Sequence, residues 1–127
     1  MELTNIDDRK KILIIDDDPT YARMVFGWLK EDYRVTMAVK PDQAFKYLAG
    51  NIPDLILLDY EMPEMPGPVL YERIKTNSVL DDVPIVFLTG KNDRESIMRI
   101  LSLNPRDYIL KSLTKEEILP KIAEYIV

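Results

Sequence analysis

The segment that decides the fold is Pro53-Asp54-Leu55-Ile56-Leu57-Leu58-Asp59. Its aliphatic run, Leu55 to Leu58, has no polar residue alternating within it, which is typical of a parallel strand that is buried on both faces. Asp59 follows the run directly, and open α/β sheets bind their ligands beyond the carboxyl ends of the strands. The segment therefore predicts a buried parallel strand with Asp59 as a candidate site residue.

Three other aliphatic runs also end in polar residues. Ile12 to Ile15 run into Asp16-Asp17, Ile85 to Leu88 run into Thr89, and Tyr108 to Leu110 run into Lys111. Each interval between these strand ends accommodates about one or two βα units, so the polar residues come together if the sheet is parallel. An acid pair, a lone acid, a hydroxyl and an amine are thus predicted to meet at one edge of one sheet.

With these residues in this order, the chain resembles the receiver domain of two-component response regulators, the CheY-like superfamily. The resemblance covers nearly everything from Lys11 to Val127. It is carried by Asp16-Asp17, Asp59, Met62-Pro63 with Gly67 after it, Thr89, Tyr108 and Lys111. It implies a three-layer, doubly wound (βα)5 fold, flavodoxin-like or CheY-like, with parallel strand order 2-1-3-4-5. The alternation of strand and helix patterns alone predicts only a parallel α/β domain.

The resemblance also implies a chemistry. Asp59 would accept a phosphoryl group from the phospho-histidine of a sensor histidine kinase or a His-phosphotransfer protein. Mg²⁺ would be held by Asp17, Asp59 and the backbone carbonyl of Glu61, with Asp16 acting through water. Clustered oxygen ligands suit Mg²⁺, which retains several waters. Such a protein is a phosphoacceptor switch that assists its own phosphorylation and dephosphorylation, and it is not a turnover enzyme.

The switch that the resemblance implies runs through two further strand ends. Lys111 would pair with one phosphoryl oxygen and the Thr89 hydroxyl would donate to another. As Thr89 moves inward, Tyr108 would change rotamer to fill the space. The affected surface is that of helix 4, strand 5 and helix 5, where a downstream protein partner is expected. The sequence leaves open a homodimer that forms on phosphorylation.

Length and composition limit the functional classes. The 127 residues suit one domain, predicted as a receiver domain over residues 10–127 after a frayed tail over residues 1–9. A net charge of −5 argues against a nucleic-acid partner and suits protein partners and a divalent cation. No uncharged stretch exceeds Val83 to Gly90, which argues against a membrane span. The lack of Cys is consistent with a cytoplasmic location.

Local signals predict where helices begin. Asp18-Pro19 offers an N-cap followed by a proline in the first turn. Asn92 with Glu95, and Thr114 with Glu117, each predict a capping box. Helical spacing assigns two apolar sets to buried faces of the first and fourth helices: Met24, Val25, Trp28 and Leu29, then Ile97, Ile100, Leu101 and Leu103.

The chain departs from the common receiver pattern at Ser112, which follows Lys111 where most receivers have a proline in a cis peptide bond. A cis bond before a residue other than proline costs roughly 3 kcal/mol, so the junction is either strained or trans with a moved loop. Gly90 replaces a common Ala and keeps the phosphate pocket open. Glu61 and Lys91 flank the path of an attacking water, and we expect them to pair across it and to slow self-dephosphorylation.

Two alternative functions remain at this point. One is a degenerate receiver that acts as a phosphorylation-independent protein-binding module. The other is a haloacid-dehalogenase-like phosphatase with Asp16 as its nucleophile, since Asp16-Asp17-Asp18-Pro19-Thr20 fits the D-x-D-x-T motif. Such a phosphatase also needs an acidic motif on a strand after the lysine, whereas Leu113 to Val127 is predicted to form a helix. Asp59 would also be unexplained.

Overall fold

In the computed structural model, which describes residues 7–126, a parallel five-stranded sheet lies between two layers of helices. The strands are β1 (Lys11–Ile15), β2 (Arg34–Ala38), β3 (Leu55–Asp59), β4 (Ile85–Thr89) and β5 (Asp107–Leu110). The helices are α1 (Pro19–Leu29), α2 (Pro41–Leu48), α3 (Gly67–Lys75), α4 (Arg94–Ser102) and α5 (Lys115–Tyr125), with a short 3-10 turn over Ser78–Leu80. The strand order β2-β1-β3-β4-β5 confirms the predicted order.

Alternate residues along each strand pack against opposite helix layers. Leu13, Ile56 and Phe87 face the layer made by α2, α3 and α4, whereas Ile12 and Leu57 face α1 and α5. Because helices cover both faces, every residue of β3 is buried. Each fully buried Leu or Ile stabilises the fold by roughly 1.5–3 kcal/mol. The aliphatic run that ends at Asp59 is thus explained by its central place in the sheet.

Side-chain caps fix the beginnings of α1 and α5. Oδ1 of Asp18 accepts hydrogen bonds from the backbone N–H groups of Thr20 at 3.0 Å and Tyr21 at 3.3 Å. At α5, Thr114 and Glu117 form the reciprocal capping box. Both predicted helix starts are confirmed.

The predicted capping box of α4 is wrong by one residue. The N-cap is Asp93 and not Asn92, because Oδ2 of Asp93 accepts both the backbone N–H and the hydroxyl of Ser96, each at 3.0 Å. Glu95 instead pairs with Arg99 on the exposed face of the helix. A charged cap is favoured here because a carboxylate accepts two bonds and also interacts favourably with the helix dipole.

Two assignments to buried helix faces are also wrong. The side chains of Met24 and Leu101 are 41% and 48% exposed. Ala22 and Ser96 are buried in α1 and α4 instead. Both are small residues, so α1 and α4 pack closely on the sheet at these positions. A pattern of large apolar residues does not predict such contacts.

The loop between β3 and α3 folds back over the end of β3. The backbone N–H of Gly67 donates to the carbonyl of Tyr60 at 3.0 Å. A Cβ atom at Gly67 would lie 2.4 Å from the carbonyl oxygen of Asp59 and 2.7 Å from the Cα of Tyr60. Only glycine fits this contact. The helix α3 begins at Gly67 itself.

Most of the predicted tail, residues 1–9, falls outside the described residues. In the described part, Arg9 donates from Nη1 to the carbonyl of Lys30 at 2.9 Å and pairs with Asp7 at 2.8 Å. The domain boundary at residue 10 stays a prediction. Within residues 7–126, no helix combines the length and the apolar character that crossing a membrane requires.

Candidate functional site at the carboxyl edge of the sheet

Four strand ends bring the predicted site residues together. Asp59 and Thr89 are the last residues of β3 and β4, and Asp16 and Lys111 directly follow β1 and β5. The Lys111 ammonium nitrogen lies 2.9 Å from Oδ2 of Asp16 and 3.3 Å from Oδ1 of Asp59. The convergence predicted from the parallel pattern is therefore present in the structure.

Three carboxylates form the floor and rim of the site. Asp16, Asp17 and Asp59 each contribute one oxygen to a group whose members all lie within 4.8 Å of one another. Asp16 and Asp59 are buried, and Asp17 is exposed at the rim. Burial, followed by the negative charge of Asp16, raises the pKa of Asp59 to about 8, and Lys111 only partly offsets this effect. The site is therefore short of positive charge.

This donor set fits a hard divalent cation. All three side-chain ligands are carboxylate oxygens, which Mg²⁺ and Ca²⁺ prefer, and there is no imidazole or thiolate ligand in the chain. Three acids beside one ammonium group leave an excess of negative charge that a cation would neutralise. The cluster can therefore hold a metal ion.

The side chain of Glu61 lies across the end of β4. Its Oε2 accepts the Thr89 hydroxyl at 3.0 Å, and its Oε1 accepts the backbone N–H of Gly90 at 3.5 Å. The backbone N–H of Lys91 donates to the same hydroxyl oxygen of Thr89 at 3.1 Å. Among residues 7–126, the expected ion pair between Glu61 and Lys91 is not formed, since the Glu61 carboxylate is bonded to the end of β4 instead.

A family model of the response regulator receiver domain matches residues 12–123 of the chain. The chain belongs to this family. Membership overturns the phosphatase alternative with Asp16 as nucleophile, and α5 occupies the segment after Lys111 where that alternative needs a strand.

Relatives of this receiver domain occur in two kinds of signalling protein. The chain is 32% identical over 114 residues to the phosphate regulon transcriptional regulatory protein PhoB of Pseudomonas aeruginosa, covering 89% of this chain and 50% of PhoB. It is 28% identical over 119 residues to the sensor histidine kinase TmoS of Ectopseudomonas mendocina, covering 94% of this chain and 12% of TmoS. The chain thus spans half or less of these relatives.

Solved structures agree with the fold. A response regulator of Chloroflexus aurantiacus is 25% identical and superposes with a TM-score of 0.85, over 94% of this chain and 98% of that one. The receiver domain of a signal transduction histidine kinase from Syntrophus aciditrophicus is 29% identical with a TM-score of 0.82, over 92% and 89% of the two chains. This receiver domain is homologous to the phosphoacceptor domains of two-component signalling.

Lys111 reaches the receiver site without a cis peptide bond. All peptide bonds of residues 7–126 are trans, including the one between Lys111 and Ser112. The backbone N–H of Lys111 donates to the carbonyl of Thr89 at 2.8 Å, which keeps the residue in register with the sheet. Burial lowers the pKa of Lys111, but its contacts with Asp16 and Asp59 outweigh burial and raise it. Ser112 therefore does not displace the lysine.

Sequence reasoning missed Tyr21. The centre of its ring lies 5.0 Å from the Lys111 ammonium nitrogen, within the range of a cation–π contact. Its hydroxyl is buried and has no hydrogen-bond partner among the described residues. Burial raises the pKa of Tyr21 to about 12, so the phenol stays neutral. The available signal was its position three residues after the Asp18 cap, in the first turn of a helix that follows an acidic strand end.

Tyr108 is half-buried on β5, in register with Phe87 of β4, and packs against the core layer of α2, α3 and α4. The same layer contains Tyr60, whose ring meets that of Phe87 edge-on at 5.5 Å. The position is compatible with a rotamer change at the boundary of the core. A switching role for Tyr108 stays a prediction.

Proposed function

We propose that Asp59 accepts a phosphoryl group from the phospho-histidine of a sensor histidine kinase or a His-phosphotransfer protein. The observation that carries this proposal is the placement of the Asp59 carboxylate. It is buried at the end of the central strand, 3.3 Å from the Lys111 ammonium group and beside two further acids and Thr89. Phosphorylation would switch a surface that other proteins bind.

The transfer is a displacement at phosphorus. An oxygen of the Asp59 carboxylate forms a new P–O bond while the P–N bond to the donor imidazole breaks, and the imidazole leaves with that electron pair. The Lys111 ammonium group offsets the charge that builds up on the phosphoryl oxygens, and the Thr89 hydroxyl is the neutral donor beside it. The phosphoryl group stays on the domain's own side chain, so the domain is a switch and not a turnover enzyme.

We propose Mg²⁺ as the cofactor, held by Asp17, Asp59 and the backbone carbonyl of Glu61, with Asp16 acting through water. When bound, it supplies positive charge at the acids and at the oxygens of the incoming phosphoryl group. The raised pKa of Asp59, about 8, supports this requirement. At neutral pH without a cation, a largely protonated Asp59 is a poor nucleophile.

The downstream surface is proposed to be that of α4, β5 and α5. Two apolar side chains of α4 support it, since Met98 is 57% exposed and Leu101 is 48% exposed. Met98 and Leu101 are three residues apart, which places them on one face of the helix, and exposed apolar side chains on one face suit a protein partner. Tyr108 on β5 would couple this surface to Thr89, and a phosphorylation-dependent homodimer would use the same face. A cytoplasmic location belongs to this proposal, because the kinase needs ATP on the same side of the membrane.

The test is intact-mass measurement after incubation with Mg²⁺ and acetyl phosphate, in which the P–O bond to acetate breaks instead of a P–N bond. A gain of one phosphoryl group is expected for the wild type, but not for Asp59→Ala or for protein in EDTA. A gain that persists in Asp59→Ala would move the acceptor to Asp16 or Asp17. No gain under any condition would favour the degenerate, phosphorylation-independent binding module.

A further inference from the structure

The Glu61 carboxylate uses both of its oxygens on donors from the end of β4. The Thr89 hydroxyl donates to Oε2 at 3.0 Å, and the Gly90 N–H group points to Oε1 at 3.5 Å. Because a hydroxyl has one proton, the bond to Glu61 uses the whole donor capacity of Thr89. Its oxygen is also engaged, by the Lys91 N–H at 3.1 Å. An incoming anion therefore finds Thr89 already bonded.

The backbone holds Glu61 in this position. Asp59 lies in register with Leu88, and the N–H of Tyr60 donates to the Leu88 carbonyl at 2.9 Å, so the chain beyond β3 runs beside the chain beyond β4. The backbone N–H of Glu61 also donates to Oδ1 of Asp59 at 3.2 Å. The Glu61 carboxylate is thus tethered two residues from the proposed phosphoacceptor and next to the donors that a phosphoryl group on Asp59 would need.

The Lys111 ammonium group does not bind the Glu61 carboxylate. Lys111 is engaged with Asp16 and Asp59 at 2.9 and 3.3 Å. Glu61 is held by a hydroxyl and a backbone N–H, the neutral donors that suit oxyanions at such sites. The space beside Gly90 is open to an anion, since a Cβ atom placed there would meet nothing within 4 Å. The end of β4 is therefore a candidate anion-binding site, and the Glu61 carboxylate occupies it.

We propose that Glu61 is a built-in competitor of the phosphoryl group: its carboxylate occupies the Thr89 and Gly90 donors in the unphosphorylated domain and must leave before they can bind phosphoryl oxygens. This inference rests on the proposed function of Asp59. The carboxylate holds the end of β4 in its unphosphorylated arrangement. It also lowers the affinity of the site for phosphoryl groups and for small phosphodonors, because their binding requires its displacement.

The test uses beryllium fluoride, a stable analogue of a phosphoryl group on a carboxylate, at saturating Mg²⁺. Binding is followed through the backbone amide NMR signals of Gly90 and Lys91. Glu61→Gln removes the charge at nearly constant size, and Glu61→Ala removes the carboxylate. Glu64→Gln, a charge loss at an exposed position of the same loop, is the matched control.

We expect Glu61→Ala to bind beryllium fluoride about three- to tenfold more tightly than the wild type, since one charge-assisted hydrogen bond no longer competes. Glu61→Gln should lie between them, and Glu64→Gln should match the wild type. In the absence of metal and ligand, the Gly90 amide signal should shift in Glu61→Ala but not in Glu64→Gln.

Two results would overturn the proposal. Equal or weaker binding by Glu61→Ala, with normal binding by the wild type, would reject the competition while leaving the function of Asp59 intact. Failure of every variant to bind would reject the proposed function itself, and the competition with it. Binding by Glu61→Ala alone, with none by the wild type, would support competition in its strongest form.

Discussion

The ammonium group of Lys111 lies 5.0 Å from the centre of the Tyr21 ring. This contact joins the first turn of α1 to the end of β5 across the acidic site. It orients the lysine in a chain where Ser112 takes the place of the usual proline. The ring, and not the hydroxyl, makes the contact.

We therefore expect Tyr21→Leu to slow phosphorylation by acetyl phosphate about two- to thirtyfold, since a cation–π contact contributes roughly 0.5–2 kcal/mol. Tyr21→Phe should keep the wild-type rate. The rates are measured by intact mass at saturating Mg²⁺, and the pKa of Lys111 by NMR. If Tyr21→Phe loses as much as Tyr21→Leu, the hydroxyl matters and the ring contact does not explain the effect.

Gly67 offers a test of how tightly the loop packs on β3. Gly67→Ala should destabilise the domain by about 1–3 kcal/mol, because the new Cβ meets the backbone of Asp59 and Tyr60. Gly27→Ala is the matched control. Gly27 lies inside α1 with open space around it, so alanine there should stabilise the domain by about 0.5–1 kcal/mol. Urea unfolding measures both, and equal signs would contradict the packing described for Gly67.

The pKa of Asp59 predicts how stability depends on pH in EDTA. The value of about 8 lies above the ordinary 3.8, so between these pH values the folded domain keeps a proton that the unfolded chain has released. The free energy of unfolding should therefore fall as pH rises through this window. Asp59→Asn lacks this group and should exceed the wild type in stability by about 1–3 kcal/mol at pH 8, and by less at pH 5. Urea unfolding at several pH values decides this, and parallel profiles would contradict the raised pKa.

Glu61 and Lys91 are expected to slow the loss of the phosphoryl group by flanking the path of water to phosphorus. A double variant, Glu61→Asn with Lys91→Ala, should lose its phosphoryl group about two- to tenfold faster, since removing the two obstructions together lowers the barrier by roughly 0.4–1.4 kcal/mol. Single-turnover decay of the phosphorylated protein measures this. A decay no faster than that of the wild type would show that these side chains do not shield phosphorus.

The strand order was predicted only through the resemblance to receiver domains, since the alternation of strand and helix patterns gives no more than a parallel α/β domain. The meeting of Asp16, Asp59, Thr89 and Lys111 was predictable from the residues themselves, because it needs only a parallel sheet. Parallel strands end at one edge, whichever side chains fill the helices. The capping of α1 was also predictable, because Asp18 is a favoured N-cap residue and the proline after it suits the first turn of a helix. Capping rules predict the start of a helix reliably where only one residue can act as the N-cap.

The errors arose where two residues competed. Asn92 and Asp93 can both cap α4, and the choice depends on Ser96, which supplies a second donor to Asp93 alone. The contact of Glu61 with Thr89 could not be predicted from the sequence either. Glu61 and Lys91 each lie two residues beyond a strand end and are near in space. Whether the Glu61 carboxylate pairs with Lys91 or with Thr89 depends on the backbone N–H of Gly90, which a sequence pattern does not show.

The helix α4 buries only Ser96 and Ile100 beneath it. A helix with so little apolar contact opens locally at a free energy well below that of global unfolding, and its amides are expected to exchange with solvent before those of α1 or α5. The hydrogen bond from the Lys91 N–H to Thr89 lies just before the Asp93 cap of this helix. An exchange of one anion for another at Thr89 would therefore act next to a helix that buries few side chains, where a small free energy is enough to change the fraction of molecules in which that helix is open.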